Sequence, residues 1–186
     1  MLLKDAFDLQ MGKTPARAEK RLWQSNDHKW ISIADMSTYG KYTGDTKEYL
    51  SDLAVKETGI KIVPQNTVIM SFKLTIGRTA ITSEDIYTNE AIMAFIQRQE
   101  LFDLDYLRHA LSYYDWSDGL QNAVKGVTLN KAIIGNAEFL IPPIEFQKQF
   151  AAFVHQSDKS KFAAQMCSNL NLSRCLRIHP RENFRI

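Results

Sequence analysis

Side chains able to do acid–base or nucleophilic chemistry are scattered through this chain of 186 residues rather than gathered. Asp103 and Asp105 form a carboxylate pair, but at i and i+2 on a helix they diverge. Asp103 fits better as a helix N-cap. The histidines (His28, His109, His155 and His179) form neither a His-x-x-x-His nor a His-Glu-x-x-His pattern. Cys167 and Cys175 are too few for a disulfide framework and lack Cys-x-x-Cys spacing, which suits free thiols in a reducing compartment. No Gly-rich phosphate loop ending in Gly-Lys-Ser/Thr occurs. Neither a metal nor a cofactor is therefore expected, and a nuclease or other hydrolase is the least supported reading.

Contact chemistry is better represented. Arg and Lys can bridge guanine O6 and N7, and Asn and Gln can bridge adenine N6 and N7. The stretch from Lys13 to Lys29 gathers Lys13, Arg17, Lys20, Arg21 and Lys29 against Glu19 and Asp27, an excess able to track phosphates. Tyr39, Lys41 and Tyr42 fall in a second loop region. Lys73 and Arg78 bracket Thr75-Ile76-Gly77, and Lys125, Asn130 and Lys131 lie in a polar segment further on. The net charge of +2 is weak for a nucleic-acid domain. Four arginines against one glutamate make residues 166–186 basic as well. Trp23, Trp30 and Trp116 have faces able to stack on bases, although Trp30 sits in an alternating strand and reads as core. Met36, Met70 and Met93 read as packing.

The elements that must position these residues are many short strands and few helices. Asp5 to Gln10 suits a strand ending at Gly12, followed by turn chemistry at Gly12-Lys13-Thr14-Pro15. Lys29 to Ile33 alternates as a strand, Asp35 to Gly44 reads as loop, and Thr46 to Thr58 as a short helix closed by Gly59. Thr67–Phe72, Arg78–Ile81 and Ile86–Ile96 read as further strands. Asp103 starts a helix through Tyr114, and Phe139 to Ile141 reads as a last strand. Pro143 can open a helix, because its missing N–H needs no partner there. Phe146, Phe150, Phe153 and Val154 then fall at helical spacing, which packing on the domain would explain. Continued at heptad spacing the stripe meets Ser157, Ser160 and Ala164, so this helix is expected to fade. The pattern predicts an α+β domain with a mainly antiparallel or mixed sheet and a C-terminal helix. No apolar run approaches the ~18–20 residues of a membrane span. Lys4, Asp5 and Asp8 interrupt the start, so a cytoplasmic protein is expected.

The order of these pieces resembles the type I restriction–modification specificity subunits. Lys29 to Met36 is similar to the W-I-x-x-x-D-(L/M) block of their target recognition domains, and Val68 to Arg78 to V-L-x-S-x-x-x-T-I-G-(K/R). Tyr87-Thr88-Asn89-Glu90 resembles x-T-N-Q with Glu for Gln. Gly126 to Lys131 with Ile141 to Gln147 resembles the closing block that ends (I/L)-P-(L/P)-x-x-x-Q. These blocks fall in family order over residues 1–165.

The resemblance implies a target recognition domain over residues 1–144, the start of a helical arm over 145–165 and an atypical basic tail over 166–186. It implies a non-catalytic subunit that reads double-stranded DNA and directs methyltransferase and restriction subunits to the site. The segment Ile141-Pro142-Pro143-Ile144 lacks the Asn and aromatic of an adenine methyltransferase motif, and reads as structural. DNA-contacting candidates are Lys13, Arg17, Lys20, Arg21, Lys29, Lys41, Tyr42, Lys73, Thr75, Arg78, Lys125, Asn130 and Lys131. Phe146, Phe150, Phe153 and Val154 are candidates for partner contact, including a homodimer that would present two equivalent reading surfaces. After Ala164 the family's long helix gives way here to Asn169, Asn171, Ser173 and Pro180, as in a truncated end. The alternative is a partner-binding fragment that keeps the fold without useful DNA affinity.

Overall fold

The computed structural model describes residues 1–116 and 129–175. Within them the chain forms a four-stranded sheet and a three-stranded sheet, with helices packed around them. The first sheet has the order β1 (Phe7–Met11), β7 (Ile92–Gln97), β4 (Val68–Ser71) and β5 (Thr79–Ile81), all antiparallel. The second orders β3 (Glu48–Leu50), β2 (His28–Ile31) and β6 (Tyr87–Thr88), where the β2–β6 pair is parallel. The fold is thus α+β with mostly antiparallel pairing, as the many short strands predict.

Both faces of the central strand β4 are buried, which is why three of its four residues are apolar. On one face Phe7, Leu9, Val68, Met70, Met93 and Phe95 pack against Leu107 and Leu111 of α4 (Leu104–Tyr113). On the other, Ile69, Ile92 and Ala94 meet Ile31, Met36 and Ile86. Beyond the second sheet, Trp30 and Leu50 cover Ala54 of α3 (Asp52–Thr58). Each large side chain fully buried here contributes about 1.5–3 kcal/mol.

Local chemistry accounts for several boundaries. The strand expected over Lys29–Ile33 stops at Ile31, because Ser32 and Asp35 form a capping box that opens the short helix α2 (Ile33–Met36). Asp35 is buried, and its Oδ2 accepts from the Ser32 backbone N and hydroxyl and from Thr46 Oγ1. The helix expected over Thr46–Thr58 is half strand: Glu48–Leu50 pairs with β2, and α3 begins only after Ser51, whose hydroxyl accepts from Ala54 N. Asp103 caps α4, accepting from Asp105 N and Tyr106 N.

Phe139 to Ile141 is not a strand; Glu138 forms a single bridge with Leu2, and Phe139 bonds Met1 in both directions. The polar segment ends in a helix that the apolar spacing does not show, α5 (Lys131–Asn136), capped by Asn130. The last helix, α6 (Ile144–Cys175), continues through Asn169, Asn171 and Ser173, past the end of its apolar stripe. Once a helix is nucleated, such residues cost only tenths of a kcal/mol each, about 0.5 on average. Pro180 lies outside the described residues.

Candidate nucleic-acid interface

At one end of the four-stranded sheet, β1 stops at Met11 opposite Met93, β7 starts at Ile92 opposite Ser71, and β5 starts at Thr79 opposite Met70. The loops 12–17, 89–91 and 72–78 therefore emerge side by side.

Family-like residues pin the first of these loops. Lys13 N donates to Thr88 O at 3.0 Å, and Lys13 O accepts from Trp30 Nε1 at 2.9 Å. The Thr14 hydroxyl accepts from Asn89 Nδ2 and donates to the Glu90 carboxylate. Asn89 Oδ1 in turn accepts from Ala91 N at 2.6 Å. The Trp-Ile and Thr-Asn-Glu blocks thus hold the Lys13 loop rather than reach outward. Trp30 is fully buried, as its strand position predicts, and Trp23 meets it edge to face, with centroids 5.0 Å apart. Trp116 is buried, so neither it nor Trp30 is free to stack on a base.

From Lys13 a groove of about 1200 Å³ runs along β1, an edge strand, between the 59–61 segment and α5. Lys4, Lys13, Lys61, Arg98 and Lys131 line it, with Asp8 as the one lining carboxylate among the described residues. Asp8 pairs with Arg98 at 2.8 Å. Lys4 donates to Asn136 Oδ1 and Lys13 to Thr58 O, both neutral acceptors, each at 2.8 Å. Among the described residues Lys61 and Lys131 make no ion pair. Four lysines thus keep their charge uncompensated on one concave surface. Gln10 reaches across the groove edge, donating to Lys61 O and Ile62 O and leaving its own carbonyl available.

The other basic candidates are differently placed. Arg17 pairs with Glu48 and lies 4.1 Å from the Trp23 ring centroid. Arg21 bonds Glu19 and Glu57, which together hold its pKa above the ordinary value. Lys29 meets Glu84 at 2.6 Å and Lys41 meets Asp105 at 2.5 Å, and each carboxylate raises its partner's pKa. Tyr42 is half exposed beside Lys41, away from the groove. Asn130 spends its side-chain oxygen on the α5 cap, accepting from Ala132 N and Ile133 N. Lys20 is exposed, and Lys125 lies outside the described residues. Of the predicted residues the groove gathers Lys13 and Lys131, while Lys73, Thr75 and Arg78 lie apart from it on the 72–78 loop at the same end of the sheet. Sequence reasoning missed Lys4, Lys61 and Arg98, each isolated among neighbours of mixed character.

The 72–78 loop is fixed from below. Ser71 is buried; its N donates to Arg78 O, its O accepts from Gly77 N, and its hydroxyl donates to Thr75 O. Gly77 adopts φ +82°, where a side chain would be strained. Leu74 stands at the tip with φ +64°.

On α6 the expected stripe divides. Phe150 meets Tyr106 and His109 edge to face, at 5.7 and 6.1 Å, and Val154 is half-buried. Phe146 and Phe153 are 61% and 70% exposed, so packing on the domain does not account for them. They sit seven residues apart on a neighbouring face of the helix. The residue that docks α6 is Gln147: fully buried, it accepts from Asp103 N and donates to Leu101 O and Pro142 O.

The fold and groove define an α+β recognition-type domain with a cationic channel at a sheet edge and an extended helical arm. Residues 1–166 match the family described as type I restriction modification DNA specificity domain, and the chain belongs to that family. It is 26% identical over 144 residues to the specificity subunit of the type I restriction enzyme EcoprrI of Escherichia coli, covering 75% of this chain and 35% of that protein. It is 25% identical over 160 residues to the MjaIX specificity subunit of Methanocaldococcus jannaschii, covering 84% and 37%. The chain thus spans about a third of the length of these curated relatives.

Among solved structures it resembles a chain from a type I restriction–modification system whose complex assembly and conformational transition were described. There the TM-score is 0.73 at 16% identity, over 96% of this chain and 42% of that one. The HsdS subunit of Thermoanaerobacter tengcongensis gives a TM-score of 0.68 at 18% identity, over 90% and 39%. At these identities the structural likeness speaks for the fold.

Proposed function

We propose that this chain is a recognition domain for double-stranded DNA, working as the specificity component of a type I restriction–modification complex and performing no chemistry itself. The observation that carries this is the groove along β1, where Lys4, Lys13, Lys61 and Lys131 stand without carboxylate partners among the described residues. A phosphate backbone supplies the missing negative charge, and the release of its counterions drives binding. Phosphate contacts set position; sequence is read by loops beside them. The loop 12–17 is held at the mouth of this groove and the loop 72–78 at the same end of the sheet, which suits that division.

In this reading residues 1–144 recognise DNA and 145–165 begin the arm, whose helix runs on to Cys175 within the basic segment 166–186. The arm presents Phe146 and Phe153 to a partner: a methyltransferase subunit, which brings the restriction subunit, or a second copy of this chain. Among the described residues no helix is long and apolar enough to cross a membrane. A cytoplasmic location follows from the proposed substrate. The test is fluorescence-anisotropy titration of duplex DNA with the full chain at several salt concentrations. Salt-sensitive binding supports the reading; no binding even at low salt overturns it.

A further inference from the structure

Leu74 is 90% exposed, so it contributes almost nothing to the core, yet it holds a left-handed backbone conformation that a leucine rarely adopts. The conformation is enforced. Ser71 ties both shoulders of the loop through Arg78 O and Gly77 N, and its hydroxyl holds Thr75 O. Thr75 N donates to Lys73 O at 2.8 Å, closing the turn around Leu74 itself. Phe72, 1% exposed, anchors the base of the loop, and its N donates to Ala91 O at 3.0 Å. A strained residue presented on a rigid support is a feature of sites where position matters more than local stability.

The surroundings say what the tip meets. Residues 72–83 contain Lys73 and Arg78 and no carboxylate. Arg78 is exposed, its guanidinium touching only Ser37 O at 3.4 Å among the described residues. Ile76 beside the tip is 44% exposed. The loop emerges at the same end of the first sheet as the Lys13 loop, with the 89–91 segment between them. An apolar side chain flanked by cations has the chemistry to enter a base step while the cations hold adjacent phosphates.

We propose that the 72–78 loop is an apolar wedge that inserts Leu74 between two base pairs of the bound duplex and kinks it. This rests on the DNA-reading function proposed above. Specificity then includes the ease with which a base step unstacks, in addition to direct contacts.

The test uses the full chain and a duplex library with a randomised centre. Bound duplexes are selected, then one is labelled at both ends for energy transfer and substituted with 2-aminopurine at successive steps. The wedge predicts shortened end-to-end distance and a rise in 2-aminopurine fluorescence confined to one step. Leu74→Asn, which tolerates the left-handed backbone, should lose both signals while keeping salt-dependent binding. Leu74→Phe should keep both. A selected duplex bound without distortion, or Leu74→Asn indistinguishable from the unaltered chain, overturns the wedge and leaves the DNA reading standing. Failure to select any duplex, with no salt-dependent binding, overturns that reading and the wedge with it.

Discussion

Gly12 lies so close to Thr88 that a Cβ on it would stand 1.8 Å from the Thr88 carbonyl oxygen. This approach lets β1, an edge strand of the first sheet, hand the chain to β6 of the second, where Lys13 N takes up the same carbonyl. Gly12→Ala must push that backbone apart. A loss of about 3 kcal/mol is expected, read as a lower urea midpoint. A midpoint unchanged from the parent would show that the two backbones can separate freely.

Gln147 ties the start of α6 to the start of α4 through three backbone groups. Gln147→Leu keeps the volume but leaves Asp103 N, Leu101 O and Pro142 O without it. Each orphaned group costs about 1–3 kcal/mol. The variant should lose roughly 3 kcal/mol, and amide exchange should rise along the first turns of both helices. Protection that stays equal would mean that water replaces the amide.

How legible this was depended on whether a feature is local. The Trp-Ile, Thr-Asn-Glu and Pro-Pro…Gln blocks could be read from the chain because each needs particular residues at fixed spacing. The structure shows why: Trp30, Asn89 and Gln147 each satisfy backbone or loop groups that nothing else would. The strand at Glu48–Leu50 was misread because Leu50, Leu53 and Ala54 fit a helical face equally well. Ser51 was the available boundary signal, as Asn130 was for α5.

Lys13 and Lys131 could be named from sequence, but the groove they line could not. Lys4, Lys61 and Arg98 are distant in sequence and meet only on folding, whereas the basic run after Lys13 is largely neutralised by Glu48, Glu57 and Glu84 from other elements.

That contrast predicts unequal effects of removing charge. Each lysine neutralising a phosphate adds about 0.9 to the slope of log affinity against log salt. The double substitution of Lys13→Ala and Lys131→Ala should therefore lower the slope by about 2. Arg21→Ala should leave it nearly unchanged, since Glu19 and Glu57 already hold that guanidinium. Equal slopes for the two variants would place the duplex elsewhere on the molecule.

His109 lies between α4 and α6, stacked on Tyr113 and edge-on to Phe150, with Arg108 Nη2 2.8 Å from its Nε2. Burial, and then the Arg108 guanidinium, hold its pKa below the ordinary 6.5, with Lys41 adding to this and Asp105 and Asp158 opposing it. The unfolded chain therefore takes up the proton first. This contribution to stability is complete above the unfolded value and declines as pH falls from there towards the folded one. The thermal midpoint should drop between about pH 7 and pH 5.5, and His109→Gln should flatten that drop. An equal drop in the variant would assign the dependence to other groups.

Leu74 sets stability against function. Its left-handed backbone costs a leucine roughly 1–2 kcal/mol that a glycine does not incur, and its exposed side chain offsets little of this by packing. Glycine adds freedom to the unfolded chain, which costs up to about 1 kcal/mol. Leu74→Gly should thus be neutral or more stable by up to about 1 kcal/mol, although it deletes a large apolar side chain. Urea denaturation of the two chains reads the difference directly. A loss of 1 kcal/mol or more would show that Leu74 packs on something in the folded protein, and its exposure at the tip would then need no functional reason. Unchanged or higher stability, with the duplex distortion gone, would mean that the strain is retained for what the side chain meets outside the fold.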